Sequence, residues 1–274
     1  MMPLSQIRRM KDSVDADWRS PVADQVAHAW GRDPNSARWW RSSASHVFVI
    51  PGDPRRFLRF IPAGTAAASR LRAGAELAND FPSVDGLWIA RPLPAESGEL
   101  IPTVDTSFGP MAAMLVNEAP GDALEVPSLT PDQARMWGRA LALFHEVAGG
   151  PDGVTIHGDF ELDNLRFTPD GVSVFDLDES RPGTAAEDVA LATRALRGDE
   201  GDRPEPLLYA EFLAGYRSRR DFTDAEETRV PEYARQYSAR RVAAGQEMLD
   251  DGDKPTDPDW LRELHNDILT ANDW

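Results

Sequence analysis

The chain has 274 residues, of which 41% are hydrophobic and 27% charged; this is ordinary globular usage, so a folded core in one large domain or two lobes is expected and wholesale disorder is excluded. The net charge of −17 repels phosphate backbones and anionic headgroups, which excludes nucleic acid and membrane surfaces as expected partners and leaves solubility, or attraction of a cationic small molecule, as its use. With no cysteine there is no disulfide framework and no thiolate metal site.

Residues 1–20 are polar and read as a partly mobile extension or a short helix. They lack the apolar core of a secretory leader, and the longest apolar run, Met111–Val116, is too short to span a bilayer, so a cytoplasmic protein is expected. Residues 21–31 read as a helix, opened by Pro21 and closed by Gly31. His46–Ile50 and Arg56–Ile61 are β-rich runs around the turn cluster Pro51-Gly52-Asp53-Pro54 and read as a hairpin. An Ala-rich helix at 65–79 follows, then short strands at Leu87–Arg91, Leu100–Val104 and Met111–Val116. A changeover near residue 118 leads into helical sequence, with Thr130-Pro131 capping a helix that runs to Gly149. Two β-runs, Asn164–Phe167 and Val172–Asp176, flank the turn Asp170-Gly171; helices are expected at 185–197, 205–220, 224–250 and 258–271. The predicted organisation is α+β: an extension at 1–20, a small antiparallel sheet lobe with one helix at 21–118, and a mainly helical lobe at 119–274, with a cleft between the lobes.

The segment His157-Gly-Asp-Phe-Glu-Leu-Asp-Asn164, followed by Asp176, concentrates the chemistry. Phosphoryl transfer needs a carboxylate to orient and deprotonate a hydroxyl, and hard oxygen donors to hold a divalent ion on nucleotide phosphates. Asp159, Asn164 and Asp176 are such groups, and the Asp170-Gly171 turn would bring Asn164 and Asp176 to one end of a hairpin. A metallophosphatase would need several histidines around two metals, and the chain has only His28, His46, His145, His157 and His265. His145, near a helix end, reads as a local structural contact.

The pattern His157-x-Asp159-x-x-x-x-Asn164, with Asp176 beyond a short hairpin, resembles the catalytic and metal loops of eukaryotic-like kinases. Gly158 and the tail Glu187-Asp188-Val189-Ala190 are similar to the aminoglycoside phosphotransferase and choline kinase branch. The resemblance covers about residues 25–220 and implies a two-lobed protein-kinase-like fold binding ATP and Mg2+. It implies Asp159 as base, Asn164 and Asp176 as metal ligands, and His157 and Asp188 as structural residues ordering the loops. It calls for a cation on a front-lobe strand; with Lys11 and Lys254 the only lysines and neither in a strand, Arg59 takes that place, with Glu76 as its ion-pair partner. Exposed charges on a strand and a helix are an equal reading of that pair.

The glycine-rich phosphate loop is absent, and Ser42–Ser45, placed before the first strand, offers Ser43 and Ser45 for the phosphates or is an ordinary turn. Leu115–Gly121 resembles the hinge, with Asn117, Glu118 and Ala119 bonding the adenine through their backbone. Asp178 stands where protein kinases have the glycine after the metal-binding aspartate, and serves either the metal or the acceptor. Glu161, Asp163 and Glu179 are the weaker acceptor-side acids, matching the cationic acceptors of the resembled family. The expected activity is transfer of the γ-phosphoryl group of ATP to a hydroxyl of a small, cationic molecule, such as an aminoglycoside-like antibiotic or an amino alcohol. The alternatives are a bacterial protein Ser/Thr kinase of the same fold and a non-catalytic nucleotide-binding module. Oligomeric state, ATP against GTP preference and acceptor identity are not encoded in any of these motifs.

Overall fold

The structure is a computed structural model that describes residues 2–149, 153–198, 203–249, 259 and 262. It divides into two compact units, one of Met1–Arg72, Pro92–Glu118 and Ser238 onward, the other of Ala73–Arg91 and Ala119–Tyr237.

Leu4, Ile7 and Met10 bury one face of the polar start, which therefore folds as helix α1, Leu4–Asp12. Helix α2, Pro21–Ala27, starts where the Ser20 hydroxyl accepts from the Val22 N–H and ends through a short turn at Gly31, φ +61°. Next in the chain come β1 (Arg38–Ser42), β2 (His46–Ile50), β3 (Arg56–Pro62), α3 (Ala66–Asp80), β4 (Leu87–Ile89), β5 (Pro92–Leu93), β6 (Thr103–Thr106) and β7 (Gly109–Asn117). Apart from β4, these strands form one antiparallel sheet in the order β1-β2-β3-β7-β5, with β6 also paired to β7. Phe48 stacks on Phe60 at 5.6 Å within a core that includes Leu58, Met111 and Leu115.

His46 faces the same core, 2% exposed, with Nδ1 2.9 Å from the Ser42 hydroxyl and its ring 5.4 Å from Phe60. Burial disfavours the imidazolium and lowers its pKa from 6.5 to about 4. A folded-state pKa below the unfolded value gives stability that is complete above pH 6.5 and lost as pH falls toward 4. About 3 kcal/mol is at stake over that window. Urea midpoints are expected to fall between pH 7 and pH 4.5 more steeply for the wild type than for His46→Gln.

The second unit continues with α4 (Pro131–Ala148), β8 (Val154–Ile156), β9 (Leu165–Thr168), β10 (Gly171–Val174), β11 (Arg181–Gly183), α5 (Ala185–Ala192), α6 (Arg194–Arg197), α7 (Pro206–Arg217) and α8 (Asp224–Met248). A reciprocal capping box between Thr130 and Gln133, with Pro131 in the first turn, starts α4. Helices α4 and α7 pack backbone to backbone. A Cβ at Gly138 would collide with the Phe212 carbonyl, and one at Gly215 with the Arg135 carbonyl. Trp137 meets Phe212 edge-on at 5.0 Å beside Phe144, Phe160 and Tyr216 in the core. β9 and β10 form the expected hairpin, β4 adds parallel to β10, and β11 pairs antiparallel with β8. Among the described residues no helix is long and apolar enough to cross a membrane.

Several elements depart from expectation. β1 was hidden by its composition: Arg38-Trp-Trp-Arg-Ser42 is a half-exposed edge strand without apolar alternation. The expected strand 87–91 is shorter, Leu87–Ile89, and pairs with β10, where Leu87 and Ile89 are buried and Trp88 is exposed; Pro92-Leu93, just beyond the expected strand, joins β7. Register partners, not local pattern, assign these residues to two sheets. The single helix expected at 185–197 breaks at Thr193, whose hydroxyl bonds back to the Val189 carbonyl. The helix expected at 258–271 lies outside the described residues except for Asp259 and Arg262, which pair with each other.

Candidate active site

Strand β8 delivers the chain into His157-Gly158, where a single carboxylate receives it. Asp188, fully buried on α5, accepts the His157 N–H at 2.7 Å through Oδ2 and the Gly158 N–H at 2.9 Å through Oδ1. His145 Nε2 lies 2.8 Å from Asp188 Oδ2, and His145 Nδ1 lies 2.7 Å from the Tyr216 hydroxyl. Burial alone would push the Asp188 pKa up, but the hydrogen bonds and positive partial charge of His145, with the His157 amide, bring it below the usual carboxylate value. Burial raises the Tyr216 pKa, so the phenol stays protonated where it shares a hydrogen bond with His145 Nδ1. His145 thus reaches a partner 43 residues away, and is not the local contact its place near a helix end suggests.

Gly158 adopts φ +80°, and a Cβ there would stand 2.5 Å from the Glu179 carbonyl oxygen. Both the left-handed backbone and the close approach require glycine. The His157 ring is wholly buried, edge-on to Phe144 at 5.5 Å and Phe160 at 5.3 Å. Its Nδ1 accepts the Asp159 N–H at 3.2 Å, and burial outweighs the pull of Asp188, Asp159 and Asp176 to lower its pKa. A neutral ring with Nδ1 committed to the backbone supports the loop. The Phe160 carbonyl accepts from Trp137 Nε1 at 3.1 Å, which pins the next residue to α4.

Asp159 is half-buried, and Asn164 is 6% exposed. The Asn164 amide nitrogen donates to Asp159 Oδ2 at 2.8 Å and to the Asp159 carbonyl at 2.9 Å. That commits Nδ2 to the carboxylate and turns Oδ1 to the other side of the amide. Across the hairpin Leu165 pairs with Val174, and the Phe175 N–H donates to the Asn164 carbonyl at 3.2 Å, which brings Asp176 to the same end as Asn164. Asp176 has φ +65°, a left-handed geometry that aspartate tolerates better than most residues, and it turns the chain into a short 3-10 turn at Leu177–Glu179. Among the described residues no group of three or more His, Cys, Asp or Glu is arranged to hold a metal. One carboxylate and one amide oxygen fit a Mg2+ ion whose other ligands are phosphate and water.

Of the remaining acids, Glu161 pairs with Arg194, whose guanidinium lies 4.4 Å over the Tyr237 ring. Asp163 and Glu179 are exposed, and Asp178 is half-buried. Glu187 pairs with Arg181 at 2.6 Å. Arg194 and Tyr216 were not singled out by sequence, because their partners lie 33 and 71 residues away.

In the first unit, Arg59 is buried on β3 opposite Val47 and Met114, with Nε 3.4 Å from the Ser45 hydroxyl. Ser43–Ser45 is the turn of the β1–β2 hairpin, closed by the Ser43 N–H to the Ser45 carbonyl at 3.1 Å; it follows the first strand instead of preceding it. Asn117 ends β7, and the Glu118 N–H is engaged by the Arg55 carbonyl at 2.8 Å, with the two side chains ion-paired. Glu76 is exposed on α3, and Ala119 is buried at the start of the second unit's main segment.

Residues 117–227 match the model of the family described as phosphotransferase enzyme family. A Deinococcus radiodurans protein, described as uncharacterized, is 26% identical over a match covering 54% of this chain and 58% of its own length. The chain therefore spans little more than half of that relative. Among solved structures, an amicoumacin kinase in complex with AMP-PNP, Ca2+ and Ami superposes with a TM-score of 0.68 at 12% identity, over 95% of each chain. A microcompartment-associated aminopropanol kinase gives 0.61 at 19% identity, covering 91% of this chain and 94% of that one. A macrolide 2'-phosphotransferase from Brachybacterium faecium gives 0.55 at 14% identity, covering 90% and 97%. At these identities the likeness establishes the architecture, an antiparallel sheet unit and a largely helical unit in a kinase-like fold.

Proposed function

Because residues 117–227 match the model of the phosphotransferase enzyme family and the fold is kinase-like, we propose that the chain transfers the γ-phosphoryl group of ATP to a hydroxyl of a small, cationic molecule. The observation that carries this reading is the 2.8 Å bond from Asn164 Nδ2 to Asp159 Oδ2, at the hairpin end that also holds Asp176. It supports Asp159 as the base and leaves Asn164 Oδ1 and Asp176 as the hard donors.

In the proposed reaction Asp159 accepts the acceptor's hydroxyl proton as that oxygen bonds to the γ-phosphorus. The bond to the β–γ bridging oxygen breaks, and ADP leaves. Mg2+ held by Asn164 and Asp176 would supply neutralisation of the phosphate charge. In the first unit, Arg59 and the Ser43–Ser45 turn are the proposed phosphate contacts. The backbone at Asn117–Ala119 is the proposed adenine contact; within it the Glu118 N–H is already taken, so the acceptor group there is its carbonyl. Asp163, Asp178 and Glu179 are the proposed acceptor-side acids.

Two features support a small acceptor. The eleven residues between Asp176 and Asp188 are consumed by a 3-10 turn, β11 and the start of α5, which leaves no room for an activation segment that would dock a protein substrate. The solved neighbours are named for amicoumacin, aminopropanol and macrolide phosphorylation, and the net charge of −17 favours a cation. The test is calorimetric titration with Mg-ATP, then an ATP-consumption screen over aminoglycosides, peptide antibiotics, amino alcohols, sugars and protein extracts. Binding of Mg-ATP and consumption with one small-molecule class is the expected result. Failure to bind Mg-ATP would end the kinase reading, and consumption only with protein extracts would favour the protein Ser/Thr kinase.

A further inference from the structure

Arg194 opens α6 with 5% of its surface exposed. A guanidinium with so little water requires a compensating anion, and Glu161 provides it in direct contact, while the Tyr237 ring centroid lies 4.4 Å from the guanidinium carbon. Glu161 stands two residues after Asp159, and its carbonyl accepts the Asn164 N–H at 2.9 Å, closing the 3-10 turn Leu162–Asn164. Asn164 in turn holds Asp159 through both the carbonyl and Oδ2. The bonds run in one sequence from Arg194 to Glu161, to the Asn164 backbone, to the Asp159 carboxylate.

We infer that Arg194, braced by Tyr237, and Glu161 are positioning residues: their ion pair sets the turn that aims Asp159 and Asn164, and Glu161 is not an acid that recognises the acceptor. The inference rests on the phosphoryl-transfer reading for its kinetic consequence, and on geometry alone for its structural one. Asp188 holds the start of the segment and Arg194 its middle, so the base sits between two fixed points. Glu161 carries a charge already neutralised by the protein's own cation, which leaves Asp163, Asp178 and Glu179 to meet an acceptor amine.

The test compares Arg194→Met, Glu161→Gln and the two combined, measuring kcat and KM for ATP, melting temperature, and hydrogen exchange of the Asn164 amide. Each single variant is expected to lose about tenfold in kcat, since a displaced base slows chemistry, with a smaller rise in KM for ATP because Asn164 is also a proposed Mg2+ ligand. Each also removes one side of the Arg194–Glu161 ion pair, melts lower, and exchanges the Asn164 amide faster. The combined variant is charge-balanced and is expected to regain the wild-type melting temperature while keeping both the kcat loss and the fast exchange. Recovery of kcat together with melting temperature would make the pair merely structural and overturn the inference, as would single variants whose kcat and Asn164 exchange match wild type. A wild type that consumes no ATP with any acceptor would overturn the phosphoryl-transfer reading alone, and the Asn164 exchange would then decide the clamp by itself.

Discussion

Asp159→Asn is expected to lower ATP-dependent phosphorylation of the acceptor by roughly 100- to 10,000-fold, the range set by removing a general base. The substitution is nearly isosteric and keeps an oxygen that can accept from Asn164 Nδ2, which reaches the present carboxylate at 2.8 Å. The loop geometry is therefore retained, while the group proposed to take the hydroxyl proton becomes one that cannot. Mg-ATP affinity, measured by calorimetry, should stay close to wild type, because Asp159 is not among the proposed metal or nucleotide contacts. A loss confined to kcat is the signature of an interaction made in the transition state. Equal ATP consumption by wild type and variant under every condition would show that another group is the base.

Asp188→Asn should have the largest effect on stability. The carboxylate is wholly buried, and its two oxygens accept from the His157 and Gly158 amides and from His145 Nε2. An asparagine offers one acceptor oxygen, and its NH2 would face a donor that it cannot satisfy. Breaking a buried charged network of this kind costs about 3 kcal/mol or more. The measurement is urea or thermal unfolding of the second unit's core, with exchange of the His157 and Gly158 amides as a local readout. The pH dependence has a definite sign. The folded-state pKa of Asp188 lies below its ordinary value of 3.8, so its contribution is complete above that pH and is lost as pH falls through the lower folded value. The variant should therefore lose less stability than wild type at the acid extreme. Unchanged unfolding in Asp188→Asn at neutral pH would show that the loop is held by other contacts.

The candidate site could be picked out because it is local. The spacing of Asp159, Asn164 and Asp176 spans one loop and one hairpin, and a two-residue turn at Asp170-Gly171 suffices to bring the last two to one end. Strands β2, β3 and β7 and helices α2, α3 and α4 were legible for the same reason, since apolar periodicity and capping residues act within a few positions. β1 was not, because its two tryptophans lie between arginines on a half-exposed edge. The position of the serine turn followed from that omission: without β1 it appeared to precede the sheet, whereas it joins two of its strands.

What the amino-acid sequence determined by itself was thus the α+β order of elements and a loop carrying a carboxylate, an amide and a second carboxylate, the set proposed for phosphoryl transfer. Tertiary structure alone decided which sheet Leu87–Ile89 enters, why Gly158 must be glycine, and who holds the loop. His145 to Asp188, Tyr216 to His145 and Arg194 to Glu161 join residues 43, 71 and 33 positions apart. The physical reason is that a histidine, a phenol or an arginine is adequately solvated anywhere on an extended chain. Only burial makes each of them need a specific partner, and burial is a property of the packed core.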